Sequence, residues 1–236
     1  MTGGMATIAG TVLVVYTSIL SVVVEEPLRH LLVASVISVP AAVSIANLMI
    51  PPTLPPSAGV LDDSSRADSF MDAVIGGTQS GLILRLNVAA LLVLVAMVRS
   101  MNAALACLPS IAGEPVTLQR GVGRLMPPIV WLMGIPWSEA VTAGGLLGTK
   151  TVLNEFIAYF ELARLEPGAL SERSKLIMTY ALCGRANFAS LGAMLGGLVT
   201  LIPERRAELL ELGPRAIVFG TLARCCTGAV VGVLTG

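Results

Sequence analysis

Charge is what this chain has least of. Of its 236 residues, 15 are Lys or Arg and 15 are Asp or Glu, together 13%, and the formal net charge is zero. A soluble domain covers its surface with about a quarter charged residues, so this composition argues against one. A neutral chain without a basic stripe or tail also argues against nucleic acid as a partner. Histidine occurs once, at His30, at a segment end beside Arg29. That placement suits a surface role better than a proton relay. No HExxH pair, Ser/His/Asp set, P-loop or dinucleotide fingerprint is present, so the chain does not read as an enzyme. Four cysteines, Cys107, Cys183, Cys225 and Cys226, lie in or beside apolar runs without CxxC spacing. They read as buried small hydrophobes, not as metal ligands or a disulfide framework, and no cofactor is expected.

What the chain has in quantity is apolar surface. Hydrophobic residues make up 55% of it and mean hydropathy is +0.83. Several apolar runs approach the roughly 20 residues that cross a bilayer. The expected fold is all-α: a polytopic membrane protein with a re-entrant helical hairpin and discontinuous transmembrane helices. Residues 1–50 hold two spans, Thr7 to Val24, interrupted early by glycine, and Leu31 to Ile50, broken near its middle by Pro40. Residues 51–69, with PPTLPP followed by Asp62, Asp63, Ser64 and Ser65, form a polar linker. Residues 70–108 read as one long helix. Within 116–236, Thr117 to Gly134 suggests an interfacial helix with Trp131 as anchor. Trp137 to Leu165 is too polar for a plain span, Lys175 to Ile202 is broken at CGRANFAS, Pro203 to Pro214 is a charged loop, and Arg215 to Gly236 is the last span. Glycine-broken apolar segments at two places point to discontinuous helices meeting at a midplane site, the plan of a secondary transporter.

Three groups of polar residues carry the chemistry. Lys150, Asn154 and Glu155 sit in GLLGTKTVLNEFIAY, a segment otherwise built for lipid, where ionisable groups mark a solute path or find a partner. A carboxylate can accept from two hydroxyls at once, which suits a vicinal diol such as a ribose. An internal Lys150–Glu155 pair is the competing reading. Asn187 and Ser190 lie three apart after Gly184; on a helix they share a face, either for a polar solute or as interhelical glue. Thr7 and Ile8 sit in the break of the first span, where a hydroxyl and freed carbonyls could hold a small hard cation, although threonine often bonds back to its own turn.

The chain resembles the concentrative nucleoside transporter family. The resemblance is carried by MTGGMATIAGTVL at the start, VTLQ at Val116, WLMGIPW at Trp131, GLLGTKTVLNEFIAY, TYALCGRANF and LGGLVTLIPERR, in the family's order and spacing. It implies ion-coupled symport, with sodium as the expected coupling ion, of a nucleoside by an elevator-type transport domain in a homotrimer. It places the protein in the plasma (inner) membrane, with the lipid bilayer and the nucleoside as partners. By position, Glu155 matches the family's ribose-binding glutamate at the second hairpin. Asn187 and Ser190 match ribose contacts in the second unwound helix, and Val12 an apolar residue beside the base. Thr7 and Ile8 match sodium-site contributors. Arg185 stands where the family has an aromatic, in CGFANF, and is expected to pair with Glu155 or with a substrate anion.

The resemblance also implies that residues 1–236 correspond to the C-terminal portion of the family pattern, without the GQTEAP-like first hairpin and the N-terminal helices. Two other readings compete with nucleoside symport: a truncated, non-transporting membrane remnant, and a transporter of a different polar or anionic solute. Proteoliposomes containing residues 1–236 alone are expected to show no sodium-driven nucleoside accumulation above empty vesicles, because half the site is then open. Robust uptake would overturn that expectation.

Overall fold

The protein is described by a computed structural model, which covers residues 1–8, 10–51, 69–72, 74–75, 78, 82, 96–107, 109 and 116–235. Among these residues the regular structure is helical. The first apolar run is divided at Thr7, whereas Gly3 and Gly4 lie inside a helix and Gly10 begins the next. Helix α1 (Thr2–Ala6) stops where Thr7 becomes extended, at φ −95° and ψ 160°, and α2 (Gly10–Leu20) resumes beyond it. Helix α3 (Pro27–Met49) follows, with Pro27 at its first turn, where the missing N–H costs nothing. Residues 96–105 are helical, and after them come α4 (Leu118–Leu125) and α5 (Pro127–Leu132), then α6 (Trp137–Val152) and α7 (Glu155–Ala163). The set ends with α8 (Glu172–Leu182), α9 (Phe188–Leu201), a 3-10 turn at Pro203–Arg205 and α10 (Arg206–Leu234).

Helix α10 is the central pillar. It packs on α8, α3, α1 and α9. Small residues let it approach its neighbours closely. A methyl at Gly220 would lie 2.6 Å from Met5 Cβ, and one at Gly228 would lie 2.9 Å from Met133 Cε. The main apolar core joins Tyr16, Leu20 and Leu31 to Leu147, Leu162 and Ile177, all buried. Helices α3 and the stretch Pro203–Leu234 are long and apolar enough to cross a bilayer.

Several expectations are corrected by this structure. Pro40 does not break α3, which runs unbroken from Pro27 to Met49. A proline inside an apolar helix frees one carbonyl, and the remaining turns hold the helix together when side chains and neighbouring helices satisfy that group. Residues 117–134 form two short helices, not one, because Pro127 starts a new helix after Met126. The charged segment from Pro203 to Pro214 is helical rather than a loop. Its charges fall at helical spacing: Arg205 pairs with Glu208 at 2.5 Å and Arg215 with Glu211 at 3.3 Å. Of the cysteines, Cys183 and Cys225 are buried, but Cys107 and Cys226 are exposed. The expectation of one helix over 70–108 and the linker at 51–69 fall mostly outside the described residues.

One crossing fixes the region that carries the site. Gly144 and Gly148 of α6, four residues apart, face Gly123 of α4. A methyl on Gly144 would sit 2.9 Å from the Gly123 carbonyl oxygen, and one on Gly148 would meet the Gly123 nitrogen at 2.6 Å and collide with the Gln119 carbonyl. Small residues at this spacing let two helix backbones touch. Overpacking such a contact costs about 1–3 kcal/mol. Gly148→Val should therefore lower the thermal unfolding midpoint of the purified protein by several degrees, whereas Gly145→Ala, where a methyl meets nothing within 4 Å, should leave it in place.

Candidate solute site in a break between helices

Helix α6 ends at Val152, Leu153 leaves the helical region, and Asn154 is extended at φ −165° and ψ 169°. Asn154 then starts α7 as its cap, its Oδ1 accepting from the Ile157 N–H at 2.9 Å. That geometry puts Glu155 at the first position of α7, at the positive end of the helix dipole. The second break has the same design. Helix α8 ends at Leu182 and Asn187 caps α9, its Oδ1 accepting from the Ser190 N–H at 2.7 Å. Between them Gly184 has φ +140°, a conformation that favours glycine, and a side chain there would also strike Arg224 Nε and the Ala6 carbonyl.

The two breaks meet at Glu155. Its carboxylate is buried and accepts two hydrogen bonds, from Tyr16 Oη to Oε1 and from Asn187 Nδ2 to Oε2, each at 2.9 Å. Three chain segments therefore fix one side chain. A cavity of about 590 Å³ opens beside it, lined in part by Tyr16, Asn154, Glu155, Arg185, Asn187 and Ser190. A carboxylate offers about four acceptor sites, so Glu155 retains capacity for a ligand's hydroxyls. Ser190 Oγ makes no hydrogen bond among the described residues.

Each candidate residue now has a place. Glu155, Asn187, Ser190 and Arg185 share the cavity wall. Asn187 and Ser190 are not two side chains on one helical face; they are the cap and third residue of α9. Val12 lies in α2 and packs on the apolar core, as Ile8 does, and neither lines this cavity. Thr7 Oγ1 donates to the Gly3 carbonyl at 3.0 Å, which leaves its own lone pairs available to a cation. No group of three or more His, Cys, Asp or Glu able to hold a metal occurs among the described residues. The Thr7 hydroxyl and break-region carbonyls are hard oxygen donors, which suit an alkali cation and not a transition metal.

Two ion pairs that the sequence left open, Lys150–Glu155 and Arg185–Glu155, are absent among the described residues. Lys150 does not bridge to Glu155; it is fully buried and donates to the Ala181 carbonyl at 3.0 Å, at the unpaired C-terminal end of α8. Arg185 does not reach Glu155 either, and its guanidinium has no hydrogen bond or ion pair among the described residues, with Nε buried. His30 is not a simple surface residue: its Nδ1 lies 2.9 Å from Tyr180 Oη and the rings meet edge to face. Sequence reasoning missed Tyr16. The available signal was a phenol in an apolar run, since a buried Tyr hydroxyl finds a polar partner.

Residues 30–232 match the family model described as the C-terminus of Na+ dependent nucleoside transporters. The chain belongs to that family. It is 37% identical over 239 residues to the uncharacterized transporter YutK of Bacillus subtilis, covering 99% of this chain and 58% of YutK. It is 34% identical to the nucleoside permease NupC of Helicobacter pylori, covering 99% of this chain and 56% of the permease. Among solved structures it is similar to a variant of CNTnw in an outward-facing state, with TM-score 0.86 and 35% identity, covering 100% of this chain and 57% of the other. The chain thus spans somewhat more than half the length of these relatives. The matched family is one of transporters, not of enzymes.

The double duty of Asn187 is testable. Asn187→Ala removes a helix cap and also a hydrogen bond to a charged group, whereas Asn154→Ala removes only a cap. The first change should cost more stability, by about 1.5–3 kcal/mol, read as the difference between the two variants in denaturant unfolding in detergent. Equal losses would mean that the Asn187–Glu155 bond contributes nothing.

Proposed function

We propose that this family member carries nucleosides across the plasma membrane by symport with sodium, with Glu155 and its two partners reading the ribose. The observation that carries the reading is the Glu155 carboxylate, oriented by Tyr16 and Asn187 at the edge of a cavity where two helices are interrupted. Interrupted helices at depth are tolerated where they line a cavity, and their ends are suited to polar solutes and ions. The nucleoside permease of Helicobacter pylori and the sodium-dependent family description support the substrate and the coupling ion.

In this reading the two ribose hydroxyls donate to the free acceptor sites of Glu155, and Ser190 Oγ and Asn187 add polar contacts. Thr7 and the carbonyl of Ile8 contribute to a sodium site in the break between α1 and α2, and sodium when bound there supplies positive charge near the same cavity. Val12 is assigned to the wall on the base side. Helices α6 and α7 form a re-entrant hairpin, and the hairpin with α1, α2, α8 and α9 moves as an elevator against a trimeric scaffold. Resemblance to the family is what supports these last assignments.

Replacing the carboxylate by an amide tests the site. Glu155→Gln keeps size but turns charge-assisted bonds into neutral ones, a loss of about 1–2 kcal/mol per bond, or roughly tenfold in affinity. Uridine binding to the full-length protein should weaken at least that much, and 2′,3′-dideoxyuridine should compete poorly with uridine on the native protein. Unchanged uridine binding by the variant, together with equal competition by the dideoxy analogue, would refute the ribose assignment.

A further inference from the structure

Among the described residues, the charged side chains lining the cavity are two, Glu155 and Arg185, and they are not equivalent. Glu155 is compensated within the protein: it accepts from Tyr16 Oη and Asn187 Nδ2 and stands at the positive end of α7. Arg185 is not compensated. Among the described residues it makes no ion pair with Glu155 and donates to no protein carbonyl, and its Nε is shut off from solvent without a partner. The N-terminus of α9, three residues further on, adds positive potential on the same wall, since Asn187 occupies only one of its four unpaired N–H groups. The cavity therefore has one satisfied anion and one unsatisfied cation. A guanidinium offers five donors in a planar fork that fits carboxylate and phosphate oxygens two at a time.

We propose that Arg185 makes this cavity select a nucleoside that itself carries an anionic group, a phosphate or carboxylate on the sugar, over the neutral nucleoside. The inference rests on the nucleoside reading above and deepens it. Glu155 holds the hydroxyl-bearing edge of the sugar, and Arg185 with the start of α9 receives the anion. Repulsion between the ligand's charge and Glu155 is blunted because Glu155 already has two donors and a helix terminus facing it. A cavity of about 590 Å³ lies within the ~300–1,000 Å³ range of small-molecule sites, so a ligand larger than a nucleoside by one anionic group is admissible.

The test is a binding comparison on the full-length protein in lipid nanodiscs, with uridine, uridine 5′-monophosphate and uridine 5′-carboxylate as probes. The native protein should bind at least one of the two anions about tenfold or more tightly than uridine; which one assigns the source of the charge. Arg185→Gln keeps hydrogen-bonding capacity but removes the charge, and should lose that preference. A thermal unfolding midpoint of Arg185→Gln equal to that of the native protein shows that the variant is folded, and Arg185→Lys should keep part of the anion preference. Native protein that binds uridine as well as either anion overturns the proposal while leaving nucleoside recognition intact. An anion preference that survives Arg185→Gln overturns it too, since the selectivity then lies elsewhere. Binding of none of the three probes by the native protein overturns both this inference and the nucleoside reading.

Discussion

A helix that stops inside an apolar body leaves N–H and C=O groups without partners, and the rest of this structure is arranged around satisfying them. Each helix end exposes up to four such groups, and in surroundings without water each costs several kcal/mol if left alone. The N–H sides of the two central breaks are met by asparagines, Asn154 for α7 and Asn187 for α9. The carbonyl side of α8 is met by Lys150, whose buried ammonium reaches Ala181. Arg224, also fully buried, donates to the Ala34 carbonyl and lies against the Gly184 backbone where that segment passes the last carbonyl of α1. Two cations are thus spent on backbone, in a chain with few charges to spend.

The same arrangement delivers the site. A cap residue has extended geometry, so the side chain that follows it leaves along the direction of the break rather than around a helix. That is why Glu155, directly after Asn154, points at Asn187 rather than outward. Tyr16 arrives from a segment 139 positions away and Asn187 from one 32 positions away. A side chain held from both sides in this manner has little rotamer freedom to lose when a ligand docks.

Two of the breaks, at Thr7 and after Leu182, were legible in the residues, because glycine and small polar residues inside apolar runs have few other uses; the one at Leu153 and Asn154 followed only from resemblance to the family. Thr7 and the CGRANFAS stretch are where the helices stop. The local role of Asn187 was not legible. Spacing of three suggests a shared helical face, and only a cap changes that spacing into one side chain bonded to the other residue's backbone. Pro40 was misread because a proline signal is local, while continuity of α3 is decided by what surrounds the freed carbonyl. The charged run after Ile202 was misread in the opposite sense: its polarity suggested a loop, yet Glu and Arg at spacings of three and four support a helix. The environment of Arg185 could not be read at all, since pairing with Glu155 depends on a distance between two breaks far apart in sequence.

The crossing of α4 over α6 has a mechanical consequence. Where side chains interlock, helices can slide by exchanging one rotamer set for another; where two backbones touch through Gly123, Gly144 and Gly148, there is nothing soft to yield. Those helices form one stiff block, and α7 is joined to it across a break of only two residues. Helix α9 has no fully buried residue. The cavity is therefore stiffer on the side of the block that leads into Glu155 than on the α9 side that follows Arg185.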